Sequence, residues 1–99
     1  MIDKEDYIYE HTPDATLYEQ LAEESVELAH ACLKAARAIR KESPTPVTEF
    51  EALKQIHQEY NDVLTVTRVM GIVPNDDMID EKMTRWARRI EQQNAQNSE

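Results

Sequence analysis

Between Leu17 and Ile39 apolar residues recur every three or four positions. Leu17, Leu21, Leu28, Cys32, Ala35 or Ala36, and Ile39 form a stripe, widened by Ala22, Val26, Ala29 and Leu33. That period predicts a long amphipathic helix ending near Lys41. Thr12-Pro13-Asp14 suits its start, because proline is tolerated in a first turn, and Thr16-Leu17-Tyr18-Glu19 offers an alternative capping box. Ser43-Pro44-Thr45-Pro46 predicts its end, since each proline disfavours helical geometry in the residue before it. Thr48-Glu49-Phe50-Glu51 matches a second capping box, followed by Phe50, Leu53, Ile56, Tyr60, Val63, Leu64, Thr67 and Met70 at helical spacing. Gly71 and Pro74 mark the stop. A third helix is predicted from Asn75 or Asp76 through Met78, Ile79, Met83, Trp86, Ala87 and Ile90. Residues 1–11 are polar with scattered Ile2, Tyr7, Ile8 and Tyr9, an arm or a short turn on the bundle, and residues 92–99 form a polar tail expected to fray. The pattern describes one all-α domain over residues 1–99 with three main helices.

Composition agrees with this reading. One Gly, four Pro and 6% aromatics in 99 residues leave little material for the turns of a sheet protein. The first stripe and the β-branched run from Val63 to Val69 offer more apolar surface than three helices can cover among themselves. A homodimer that completes a helical bundle is therefore expected. The net charge of −9 argues against nucleic-acid polymers and anionic membrane surfaces as partners, both of which attract Lys and Arg. Cys32 is the only cysteine, so no intrachain disulfide is possible; a reducing compartment and a core position for Cys32 are expected. With no apolar run near the roughly 20 residues of a membrane span, and an acidic start unlike a secretory signal, the expected location is cytoplasmic.

Charge placement changes the picture more than charge total. Glu23-Glu24-Ser25-Val26-Glu27 lies in the first helix and Glu59-Tyr60-Asn61-Asp62 in the second, each with a carboxylate pair one turn apart. The 13 Glu of this chain would produce roughly 1.7 such Glu pairs by chance, so spacing alone decides nothing. Their surroundings are less ordinary. Leu28, Ala31, Val63 and Val66 stand four residues after Glu24, Glu27, Glu59 and Asp62, where a solvated helix face commonly places Lys or Arg. No Lys or Arg occurs from Glu5 to Leu33. The macrodipole explains part of this asymmetry, but not carboxylates beside an apolar stripe. Hard oxygen donors without Cys or paired His select Mg²⁺ or Mn²⁺ over Zn²⁺.

Taken together, the two acidic steps resemble the EExxE and ExxD motifs of the MazG-like all-α nucleotide pyrophosphohydrolases, the group related to phosphoribosyl-ATP pyrophosphohydrolase and dimeric dUTPases. The resemblance spans about residues 17 to 90, and Asp80-Glu81-Lys82-Met83-Thr84-Arg85-Trp86 looks like the family's basic segment. It implies Mg²⁺-dependent hydrolysis of a nucleoside triphosphate to monophosphate and pyrophosphate. Glu24, Glu27, Glu59 and Asp62 would be metal ligands, Glu23 would orient or deprotonate the attacking water or act as an outer ligand, and Lys82 and Arg85 would hold phosphate oxygens. The linker between the motifs is longer than in compact members, and Asp80 stands where relatives often carry Asn.

Two other readings compete. Glu27-Leu28-Ala29-His30 is the Glu-x-x-His step of di-iron bundles, although no second copy occurs in the chain. The chain would otherwise be a non-catalytic acidic helical interaction or regulatory module. Trp86 can stack on a base or pack with Met83 and Ile90. Tyr18, Tyr60 and Asn61 can contact base or sugar.

Overall fold

The computed structural model describes residues 2–42, 44 and 47–97. Those residues form four helices and no strand: α1 (Lys4–His11), α2 (Asp14–Ile39), α3 (Glu49–Met70) and α4 (Asp76–Asn97). The three long helices stand where the periodicity placed them, and α1 is an addition to the predicted count.

Local chemistry explains the start of α1. The Asp3 carboxylate accepts from the Asp6 backbone N–H at 3.1 Å, and Glu5 and Asp6 suit the positive end of the helix dipole. His11 stacks on Tyr7 with ring centroids 4.1 Å apart, and Arg68 Nε donates to Glu5 at 2.7 Å, fastening α1 to α3. Residues 4–11 of the N-terminal segment are thus helical and lie against α3.

Pro13 opens α2 without a side-chain cap, and Thr16 lies inside the helix, so the alternative capping box is not used. At the other end Lys41 adopts a left-handed φ of 59°, while Lys41 N–H donates to the Ala38 carbonyl and Glu42 N–H to the Arg37 carbonyl. This closure satisfies end carbonyls before the prolines are reached. Of the predicted proline stop, only Pro44 lies within the described residues. Thr48 caps α3 as its sequence predicts, its hydroxyl accepting from Glu51 N–H at 3.1 Å. Gly71 ends the helix at φ 75°, with Ile72 N–H donating to the Thr67 carbonyl. Asn75 caps α4 by accepting from Met78 N–H at 3.0 Å. That helix extends through Asn97, so most of the polar tail from Gln92 is helical; residues 98 and 99 lie outside the described set.

An antiparallel α2–α3 hairpin carries the core. Its seam on α2 steps by four and three through Leu17, Leu21, Glu24, Leu28, Ala31 and Ala35; on α3 it runs through Ala52, Ile56, Glu59, Val63, Val66 and Met70. Leu17, Ala31, Ala35, Ala52 and Val66 are buried, and the others are half-buried. Alternating steps of this kind keep one helix edge against its neighbour. The stripe on α2 is wider than α3 can cover, and the seam follows the edge through Ala31. Cys32 is consequently exposed, contrary to the expected core position, as are Val26, Leu33 and Ile39.

Helix α4 touches no other helix, and all its residues are exposed. The molecule measures 63 × 38 × 23 Å with a radius of gyration of 18.4 Å. A compact chain of this length would have about 13 Å.

Candidate metal centre

Two of the twelve seam positions are glutamates, and they meet. Glu24 on α2 and Glu59 on α3 approach with Asp62, one turn beyond Glu59, so that one carboxylate oxygen from each lies within 4.8 Å of the other two. Glu24 and Glu59 are half-buried and Asp62 is exposed. Among the described residues this is the one cluster of three or more groups able to hold a metal ion. Neither His30 nor any other histidine belongs to it, so the Glu-x-x-His step does not converge on the carboxylates.

The electrostatics of the cluster are unfavourable by themselves. Partial desolvation pushes the Glu59 carboxyl above the usual carboxylate range, followed by the negative charges of Asp62, Glu27 and Glu24 and by a side-chain hydrogen bond with Asp62. No Lys or Arg is among the groups that act on Glu59, and a cation is the natural counterweight to carboxylates gathered in a partly dry seam. Oxygen-only donors suit a hard divalent ion, with water or substrate oxygens completing its shell. One polar side chain supports the arrangement: Gln20 Nε2 donates to Glu24 Oε1 at 2.8 Å, from one turn earlier on α2. Gln20 is not among the sequence-predicted site residues, although its i, i+4 spacing to Glu24 is the available signal.

The other expected site residues fall into two groups. Glu27 stands outside the triad, close enough for its charge to act on Glu59. Glu23 and Glu27 line a shallow groove on α2 with Ala22 and Val26. Lys82 and Arg85, in contrast, line a surface groove along α4 with Arg88, Arg89 and Gln92; within one chain, α4 brings neither to the carboxylates. Trp86 is 58% exposed on the same helix. Tyr18 and Tyr9 line a small cavity of ≈ 150 Å³ with Asp14, Leu17 and Met70, beside the open end of the hairpin.

The chain matches no protein-family model, and no curated protein or solved structure is significantly similar to it. No helix among the described residues is long and apolar enough to cross a membrane.

Proposed function

We propose that the protein is a divalent-metal-dependent nucleoside triphosphate pyrophosphohydrolase that acts as a homodimer or higher homo-oligomer. The observation that carries this reading is the convergence of Glu24, Glu59 and Asp62 inside a seam otherwise built from aliphatic side chains. Like charges at such positions oppose packing, and a site for Mg²⁺ or Mn²⁺ gives them a use. Bound there, the ion would polarise a phosphate oxygen and lower the pKa of a coordinated water.

The chain's own residues then have distinct tasks. Glu24, Glu59 and Asp62 would hold the ion, and Glu27, close enough for its charge to act on Glu59, would add a fourth carboxylate. Glu23 orients the water and takes its proton as the oxygen attacks the α-phosphorus. The bond from that phosphorus to the bridging oxygen breaks, and pyrophosphate leaves. Lys82 and Arg85 supply charge-assisted donors to phosphate oxygens.

Incubation with a panel of nucleoside triphosphates and Mg²⁺ or Mn²⁺ should release nucleoside monophosphate and pyrophosphate in equal amounts. Absence of turnover across the panel with both ions would overturn the assignment. The unpartnered apolar faces of α2, α3 and α4 favour one rival, a non-catalytic interaction module. That rival requires a melting temperature indifferent to either ion.

A further inference from the structure

Building on the hydrolase reading, we propose that Lys34 of α2, with Gln55 of α3 beside it, holds the β- and γ-phosphate oxygens of the nucleoside triphosphate. The departing pyrophosphate then lies along the hairpin, toward the α2–α3 loop.

The first ground is placement. Around α2, Glu27 and Lys34 are turned from the seam by about 80° and 100°, and around α3 Gln55 and Asp62 are turned by about 60° and 80° in the same sense. In an antiparallel pair, turns in one sense bring both lines to one side, and the charge of Glu27 does act on Glu59. Lys34 and Gln55 therefore share the side on which the carboxylates open. Lys34 stands seven residues after Glu27, about 10 Å along the axis, and Gln55 four before Glu59, about 6 Å. Both steps lead toward the loop. A long helical side chain leans toward its own N-terminus, so Lys34 reaches back toward Glu27, and Gln55 leans the opposite way over the same stretch of seam.

The second ground is burial. Among the 11 Lys and Arg of the chain Lys34 alone is half-buried, and among its Asn and Gln side chains Gln55 alone is; every other member of both groups is exposed. A stem held along the seam gives up rotamer freedom and keeps its ammonium at the edge of a partly dry site, where a hydrogen bond is stronger than in open water. No ion pair offsets that loss. Those among the described residues join Glu42 to Arg37 and Arg40, and Glu5 to Arg68.

The third ground is the chemistry of the neighbouring carboxylates. Glu24, Glu59 and Asp62 repel every part of a triphosphate that a bound ion does not neutralise, which favours a second positive group on their side of the hairpin. Negative charge also grows on the leaving oxygens as the bond to the α-phosphorus breaks, and fixed N–H donors that meet it there favour departure. Lys34 and Gln55 both present such donors. Lys82 and Arg85 lie on α4, which touches no other helix, so within one chain Lys34 is the cation that the hairpin helices set on the carboxylate side.

The test reads binding rather than turnover. In MgCl₂, calorimetric titration of inorganic pyrophosphate into the unaltered chain should give an affinity that Lys34→Met weakens about tenfold. Lys34→Arg should restore most of it, and Gln55→Leu should weaken it to a smaller extent. Methionine keeps the stem along the seam, so helical circular dichroism and the Mg²⁺-induced rise in melting temperature should be unchanged in K34M. Lys54→Met removes the same charge from the exposed outer side of α3 and should leave pyrophosphate affinity as it was. Undiminished affinity in K34M, an equal loss in K54M, or an unaltered chain that responds to Mg²⁺ without binding pyrophosphate would each overturn the role of Lys34 while the metal site stands. A chain that responds to neither Mg²⁺ nor pyrophosphate would overturn both.

Discussion

Substitution of Glu59 by Gln preserves side-chain shape at the half-buried centre of the cluster while removing one of three converging charges. Desolvation and the neighbouring charges of Asp62, Glu27 and Glu24 raise the Glu59 pKa, which disfavours its charged form in the fold. The ion-free variant should therefore melt at or above the temperature of the unaltered chain. The metal response moves in the opposite direction. A cation present at tenfold its dissociation constant, bound only by the folded chain, adds RT ln 11, about 1.4 kcal/mol. For a domain of this size that raises the melting temperature by roughly 6–11 °C. In the variant the rise should largely disappear, because only Glu24 and Asp62 of the triad keep their charge. Far-ultraviolet circular dichroism melts in EDTA, in millimolar MgCl₂ or MnCl₂, and in NaCl of matched ionic strength separate ion binding from screening. A flat response of the unaltered chain to both ions, or an undiminished response in E59Q, would refute the metal site.

Three further outcomes are expected. Because the folded chain holds the Glu59 proton more tightly than the unfolded chain, that stabilisation is complete below the ordinary glutamate pKa of about 4.3 and is lost as pH rises through the raised value. Urea midpoints in EDTA should thus decline with pH relative to those of E59Q, while apparent affinity for the metal should rise as the proton is more easily displaced. Thr48→Ala removes the 3.1 Å cap of α3 and should cost about 1 kcal/mol, read as a fall of the urea midpoint with unchanged slope. Lys82→Ala combined with Arg85→Ala should leave the metal-induced melting shift intact and reduce turnover of nucleoside triphosphates, since α4 contacts neither helix that carries the carboxylates.

Helix positions were legible in the sequence because their signals are local. Thr48, Gly71 and Asn75 each act within four residues of themselves, and the structure uses all three. Asp3 acts in the same way, but eight residues carry too little apolar period to declare a helix. Which edge of a wide stripe becomes the seam is a tertiary question. Ala31 and Cys32 are neighbours on α2, and only the angle at which α3 arrives buries one and exposes the other. The same limit governs the site. Spacing set Glu24 and Glu59 beside an apolar stripe, and their meeting with Asp62 follows once the hairpin is antiparallel. Glu27 is rotated away from the seam, so it stands apart from the triad. For Lys82 and Arg85 periodicity fixes a face of α4, but no rule of spacing says where that helix will lie.

The two seam glutamates also bear on how the hairpin keeps its alignment. Sliding α3 along α2 by one turn, about 5.4 Å, would set Glu24 against Val63 or Ile56 and Glu59 against Leu21 or Leu28, and aliphatic contacts elsewhere would largely be replaced by other aliphatic contacts. Without a cation, the native alignment is the one that places like charges opposite each other. With one, it is the alignment in which both glutamates share a ligand. The ion would then act as a key for the register of the two helices, favouring one among several near-equivalent slides. Preparing the protein without metal should broaden that choice, visible as extra amide resonances from the residues around Glu24 and Glu59 that merge on titration with Mg²⁺.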